Sequence, residues 1–160
     1  MGYRADFGPR PRRPLAWWVR GGLVAIAAGW IAVFVVALRL DPYQGGRVWL
    51  EETHRQLMLP PCTLKSLTNL PCPSCGMTSS FALLVRGDLW HSLQANFVGT
   101  ALAVIGLAMI PWTLVSAIRG RWLFLRTIET YAVRLVVVFF VTMFVRWGVV
   151  LAWIYFEGRP

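Results

Sequence analysis

Three long stretches of this chain carry almost no charge, and they leave few folds open to it. Gly21 to Leu38 is free of formal charge for 18 residues, and Leu15 to Val19 lengthens it past Arg20. An arginine so near a helix end can reach the interface with its head while its stem lies along apolar surface. Leu89 to Ile118 has no formal charge when His91 is neutral. Tyr131 to Phe156 is equally apolar apart from Arg134 and Arg146. About 20 apolar residues cross the hydrocarbon core of a bilayer as a helix. The stretches therefore predict spans at about 15–38, 97–118 and 131–156.

Composition agrees with lipid as the solvent. Hydrophobic residues make up 57% of the 160 residues and charged residues 14%. A small soluble domain buries too little of its surface to hide that much apolar area. The nine tryptophans suit membrane–water interfaces, where Trp is enriched. The net charge of +9 does not mark a nucleic-acid binder, because no basic stripe alternates with stacking aromatics. Arginines cluster instead at the ends of the apolar stretches.

Residues 1–14 are basic and proline-rich and read as a disordered cytoplasmic tail. Residues 15–156 read as a single membrane domain. A cleaved signal peptide is the rival reading of the first span, but its apolar region would run about 7–15 residues. Residues 39–96 form a long outer connection. Within it, Val48 to Leu59 reads as a short amphipathic helix ended by Pro60-Pro61. Gly76 to Arg86 reads as another helix, and its 11 residues rise only about 16 Å. That helix must be re-entrant, interfacial or packed on the spans. Leu89–Asn96 reads as outer turns of span two, and Pro111 is where that span is expected to bend.

Lys and Arg in short loops set orientation. The N-terminal tail carries Arg4, Arg10, Arg12 and Arg13, and residues 119–130 carry Arg119, Arg121 and Arg126. The 39–96 connection is more dilute in basic residues. This distribution predicts a multi-pass protein of a bacterial inner membrane with its N-terminus cytoplasmic. The outer connection then faces the side where disulfides persist.

All three cysteines fall in that connection: Cys62, Cys72 and Cys75. Cys72-Pro73-Ser74-Cys75 has the spacing of a disulfide loop, a dithiol redox pair or two ligands of one metal. Cys75 stands at a helix start, where free backbone N–H groups favour a thiolate, and is the expected nucleophile. Cys62 could resolve a mixed disulfide, bridge permanently or complete a metal site. A metal site needs a fourth ligand, and Cys3His zinc sites are common. Of His54 and His91, His91 on the outer turns of span two is the expected choice, giving Cys62, Cys72, Cys75 and His91. No organic cofactor is expected, and zinc is the ion this set admits.

Arg146 falls near the middle of span three, where insertion costs roughly 2.5–3.5 kcal/mol. It is expected to bond to backbone carbonyls or to line a polar cavity. Asp88 is expected to cap the helix after it. Asn96 stands at the mouth of span two, placed to satisfy backbone groups.

With these residues in view, the chain resembles a bacterial family of small membrane proteins known as a domain of unknown function, number 2752. The resemblance rests on Cys62, on Leu70-Pro71-Cys72-Pro73-Ser74-Cys75-Gly76-Met77-Thr78, and on Gly87-Asp88-Leu89 with Ser92-Leu93 and Asn96. It covers roughly residues 60–115 and implies a multi-span membrane protein with no known reaction. The family commonly has Arg where this chain has Ser79, and Pro where it has Phe97. If that Arg serves an anion or substrate, this chain either lacks the function or supplies it from Arg86 or Arg146.

The fold expected is an all-α membrane bundle of three transmembrane helices plus one short re-entrant or interfacial helix. Its expected partners are the lipid bilayer and other membrane proteins. Three functions stay open: a scaffold or accessory subunit with a cysteine-fixed loop, a thiol redox or transfer enzyme, and a metal-binding module.

Overall fold

The computed structural model describes residues 14–121 and 128–157. Three helices in it are long and apolar enough to cross a membrane. They are α1 (Trp17–Arg39), α4 (Leu89–Arg119) and α5 (Ile128–Glu157). Between α1 and α4 come a small hairpin, β1 (Tyr43–Gln44) and β2 (Arg47–Val48), a 3₁₀ turn (Thr53–Leu57), α2 (Thr63–Thr68) and α3 (Met77–Leu84). The chain is thus an all-α membrane bundle with one short helix, α3, packed on the spans. At eight residues, α3 rises about 12 Å and cannot cross. The 1–14 tail lies outside the described residues except for Pro14, as do Trp122, Phe124 and Arg126.

The hairpin forms because Gly45 and Gly46 both take positive φ, 62° and 72°, as a two-residue type I′ turn requires. It takes Val48 out of the helix expected over Val48–Leu59. Of that helix only the 3₁₀ turn forms, bracketed by Glu52 and Met58 in the left-handed region. Amphipathic spacing could not reveal these two stops.

α1 and α4 run antiparallel. Leu15 donates to the Gly120 carbonyl at 2.7 Å, and Arg20 donates from Nε to the Ala117 carbonyl at 2.7 Å. At the other end, Arg86 donates to the carbonyls of Ala37 and Leu38 at 3.2 and 3.0 Å. Each arginine thereby satisfies carbonyls in the last turn of a neighbouring helix, which have no partner of their own.

Small residues let the helices approach closely, as membrane interfaces require. A Cβ on Gly106 would strike the Trp30 ring, and one on Gly99 would strike the Ser80 hydroxyl. Trp30 stacks on Phe34, and Phe34 on Phe81, with ring centroids 6.1 and 5.8 Å apart. Ala37 and Ala103 complete this cluster. A second, polar seam lies beside it. Ser92 donates to the Ser80 carbonyl at 2.8 Å and meets the Thr100 hydroxyl at 2.7 Å.

The interruption of α4 falls at Asn96, whose φ/ψ is extended, and not at Pro111, through which the helix continues. α5 is mostly exposed, with 6% of its apolar window buried. Two side chains bond it beside the cysteine segment: Arg146 to the Ala95 carbonyl at 3.4 Å, and the Trp147 indole to the Pro71 carbonyl at 2.7 Å. Trp147→Phe is expected to lower the thermal midpoint by the equivalent of about 1 kcal/mol, the net worth of one hydrogen bond. Calorimetry in nanodiscs checks this.

Candidate thiol site

The cysteine segment is folded onto the break in α4. Asn96 is fully buried. Its Oδ1 accepts from the N–H groups of Val98 and Gly99, both at 3.1 Å, capping the inner length of α4. Its Nδ2 donates to the Cys75 carbonyl at 2.9 Å. One side chain therefore starts the long helix and anchors the thiol segment. Gly76 presses on the same place: its φ is +79°, and a Cβ there would collide with the Ala95 carbonyl. The Ala95 carbonyl also receives Arg146. Arg146 thus reaches the backbone beside the helix break, as a carbonyl-bonded arginine within the span.

These contacts bring three sulfurs together. The Sγ atoms of Cys62, Cys72 and Cys75 all lie within 4.8 Å of one another, close enough to hold a metal ion in common. No bridge joins them, and all three are part-buried. Cys72 Sγ and Cys75 Sγ are 3.1 Å apart. The Cys72 N–H donates to Cys75 Sγ at 3.2 Å, and the Ser74 hydroxyl lies 3.4 Å from Cys72 Sγ.

The two thiols are made unequal. Burial works against the Cys72 thiolate, but hydrogen bonds from Ser74, Cys75 and Cys62 outweigh it and bring its pKa below the ordinary value. Burial, then the hydrogen bond to Cys72 and the charge there, push Cys75 up to about 12. Of the two, Cys72 is the thiol that gives up its proton more readily. A helix N-terminus alone would favour Cys75, whereas hydrogen bonds converge on the earlier cysteine.

The sulfurs line a cleft of about 330 Å³ with Glu52, His54, Thr78 and Ser79. Glu52 brings negative charge, held ionised below its usual pKa chiefly by the Lys65 ammonium, despite partial burial. Lys65 meets Glu51 at 2.7 Å and Glu52 at 3.2 Å, so the cleft is not left strongly anionic. Ser79 is buried against the Thr53 hydroxyl at 3.1 Å. Neither Arg86 nor Arg146 replaces an arginine at that position, since Arg86 caps α1 and Arg146 meets Ala95.

His91 is held elsewhere. Its Nδ1 lies 2.8 Å from Asp88 Oδ2, and its backbone N–H donates to Asp88 Oδ1 at 3.2 Å. Asp88 is the N-cap of α4 and also accepts from the Tyr43 hydroxyl at 2.8 Å. The Tyr43 bond, more than the contacts from His91, keeps the Asp88 carboxyl below its usual pKa. The histidine beside the sulfurs is His54. Its sequence position, before Cys62 and across Pro60-Pro61, gives no sign of this.

No curated protein and no solved structure matches the chain. The model of one family, described as "Protein of unknown function (DUF2752)", matches residues 62–110. That match opens on Cys62, holds all three sulfurs and Asn96, and runs into α4. Over residues 62–110 this chain is therefore similar to that family of unknown function.

Proposed function

We propose that this membrane protein is a thiol–disulfide redox protein, with Cys72 as nucleophile, Cys75 as its dithiol partner and Cys62 as a third, resolving thiol. One observation carries the reading: Cys72 and Cys75 are unbridged, with their sulfurs 3.1 Å apart. A scaffold role needs cysteines that fix the loop. Here Asn96, Gly76 and Trp147 already hold the segment without a covalent bond. Thiolate attack from Cys72 on a substrate disulfide gives a mixed disulfide and expels one substrate thiolate. Attack by Cys75 or Cys62 on Cys72 Sγ then releases the second substrate thiolate and leaves a disulfide in the protein. The arginine distribution puts the N-terminus in the cytoplasm and the sulfurs on the outer side of a cytoplasmic membrane.

A second reading has its own support. The three sulfurs and His54 line one cleft, a donor set suited to zinc. Binding would spread Cys72 and Cys75 from 3.1 Å to about 3.8 Å, the separation of sulfurs about 2.3 Å from a tetrahedral zinc.

Alkylation of the intact protein, followed against pH with each cysteine mapped by mass, tests both. Cys72 is expected to react first. Its rate should rise at lower pH than that of the same cysteine in unfolded protein, because a depressed pKa means more thiolate at a given pH. Cys75→Ser removes a thiol that stabilises this thiolate and should move the Cys72 profile toward higher pH. Thiols that become reactive only after reduction would favour the scaffold. A stoichiometric metal, with thiols protected until it is chelated, would favour zinc.

A further inference from the structure

A second cavity adjoins the thiol cleft and has no role in the chemistry described so far. It is a groove of about 600 Å³ between α1 and α3. Val33, Val36 and Leu40 form one wall, and Met77 and Phe81 form the other. Ser74 and Thr78 close it, and these same two residues line the cysteine cleft. The groove therefore adjoins the thiol site, with two hydroxyl-bearing side chains between them. From Ala32 to Leu40, its α1 wall extends about 12 Å along the helix.

We propose that this groove binds a membrane quinone, which oxidises the Cys72–Cys75 dithiol. The proposal rests on the thiol-redox reading above, with the exchange run in its reverse direction: quinone makes the Cys72–Cys75 disulfide, and a substrate dithiol returns it to the dithiol by becoming a disulfide itself. A dithiol that becomes a disulfide gives up two electrons. The acceptor must reach Cys72 and Cys75 from an apolar groove at membrane level and present polar atoms to Ser74 and Thr78. A quinone does this with its carbonyl oxygens at the hydroxyl end and its isoprenoid tail along Val33 and Val36. A fatty acyl chain would fill the apolar part but could not take electrons. In the balanced step, the Cys72 thiolate and the Cys75 thiol form one S–S bond. The quinone takes the two electrons, the Cys75 proton and one proton from water, and leaves as quinol.

The test uses the full chain in lipid nanodiscs, reduced, freed of reductant and kept without oxygen. A short-chain ubiquinone is added, and quinol formation is followed by absorbance and the disulfide by mass mapping. Quinol and Cys72–Cys75 disulfide are expected in equal amounts. Val33→Trp or Val36→Trp puts a ring into the groove from an exposed position. Either should slow quinone reduction at least about tenfold, the lower end of what a pocket mismatch produces. Oxidation of the same thiols by glutathione disulfide should be unchanged in both variants. If glutathione disulfide forms the bond and quinone does not, the quinone site is wrong and the thiol reading stands. If neither oxidant forms it, the thiol reading falls and this proposal with it. Equal quinone rates in wild type and both variants would show a groove filled only by lipid.

Discussion

Gly76→Ala is expected to be the most damaging single methyl addition in the outer half of the bundle. An L-residue in the left-handed region pays roughly 1–2 kcal/mol, and Gly76 has φ +79°. The new Cβ would also meet the Ala95 carbonyl, with the Ala95 carbon at 2.9 Å and the Leu50 oxygen at 3.0 Å. These are backbone atoms and cannot rotate aside. α3 must then lift from α4, exposing Ser79 and Ser80, which are fully buried. The combined cost is expected at about 3–5 kcal/mol, at the upper end for a point change. Thermal unfolding in nanodiscs measures it. Mapped alkylation should show the Cys72 preference lost, because the turn that aims Ser74 and Cys75 at Cys72 moves with Gly76. An unchanged midpoint would mean that Gly76 does not lie against Ala95.

Asn96→Ala should have the second largest effect. It removes three hydrogen bonds from a fully buried position and strands the Cys75 carbonyl and the N–H groups of Val98 and Gly99. An unsatisfied buried group costs about 1–3 kcal/mol, and a lost N-cap alone about 0.5–2 kcal/mol. Water at the bundle mouth would recover some of this, so a net loss of about 3 kcal/mol is expected. Asn96→Ser separates the two roles. Its hydroxyl can cap Val98 and Gly99 but is too short to serve Cys75 as well, so its stability should fall between the other two. Hydrogen exchange should rise at Val98 and Gly99 in the alanine variant and stay near wild type in the serine variant. Equal exchange in all three proteins would remove Asn96 from the cap.

The three spans are legible in the sequence because one cause acts along each of them: lipid excludes charge over a fixed thickness. Cysteine proximity is partly legible, since two cysteines three residues apart at a turn must stay close. What brings Cys62 to them is not, because it depends on how α2 and the 3₁₀ turn lie against α3. The hairpin at Gly45-Gly46 reads only as a break, since a glycine pair signals a turn without saying that four flanking residues will pair. The role of Asn96 is half visible. A polar residue at the mouth of a span suggests satisfied backbone groups, but its bond to Cys75 depends on a carbonyl 21 residues earlier. His91 looks like the better metal ligand from its place on α4, yet the nearby Asp88 and its own backbone geometry claim it first. Arg146 looks costly from its place in the span, and its bond to the Ala95 carbonyl depends on where α5 docks.

The clasp of Arg86 on the end of α1 bears on biosynthesis. Ala37 leaves the ribosome 49 residues before the arginine that closes its carbonyl. The first span can enter the translocon on its greasiness alone, but its outer end stays unfinished until the polypeptide has grown through the whole thiol segment. A nascent chain arrested before Arg86 would hold an inserted anchor with a frayed tip, and release past that point would let the tip wind shut. The three cysteines are thus synthesised before the helix that precedes them is complete.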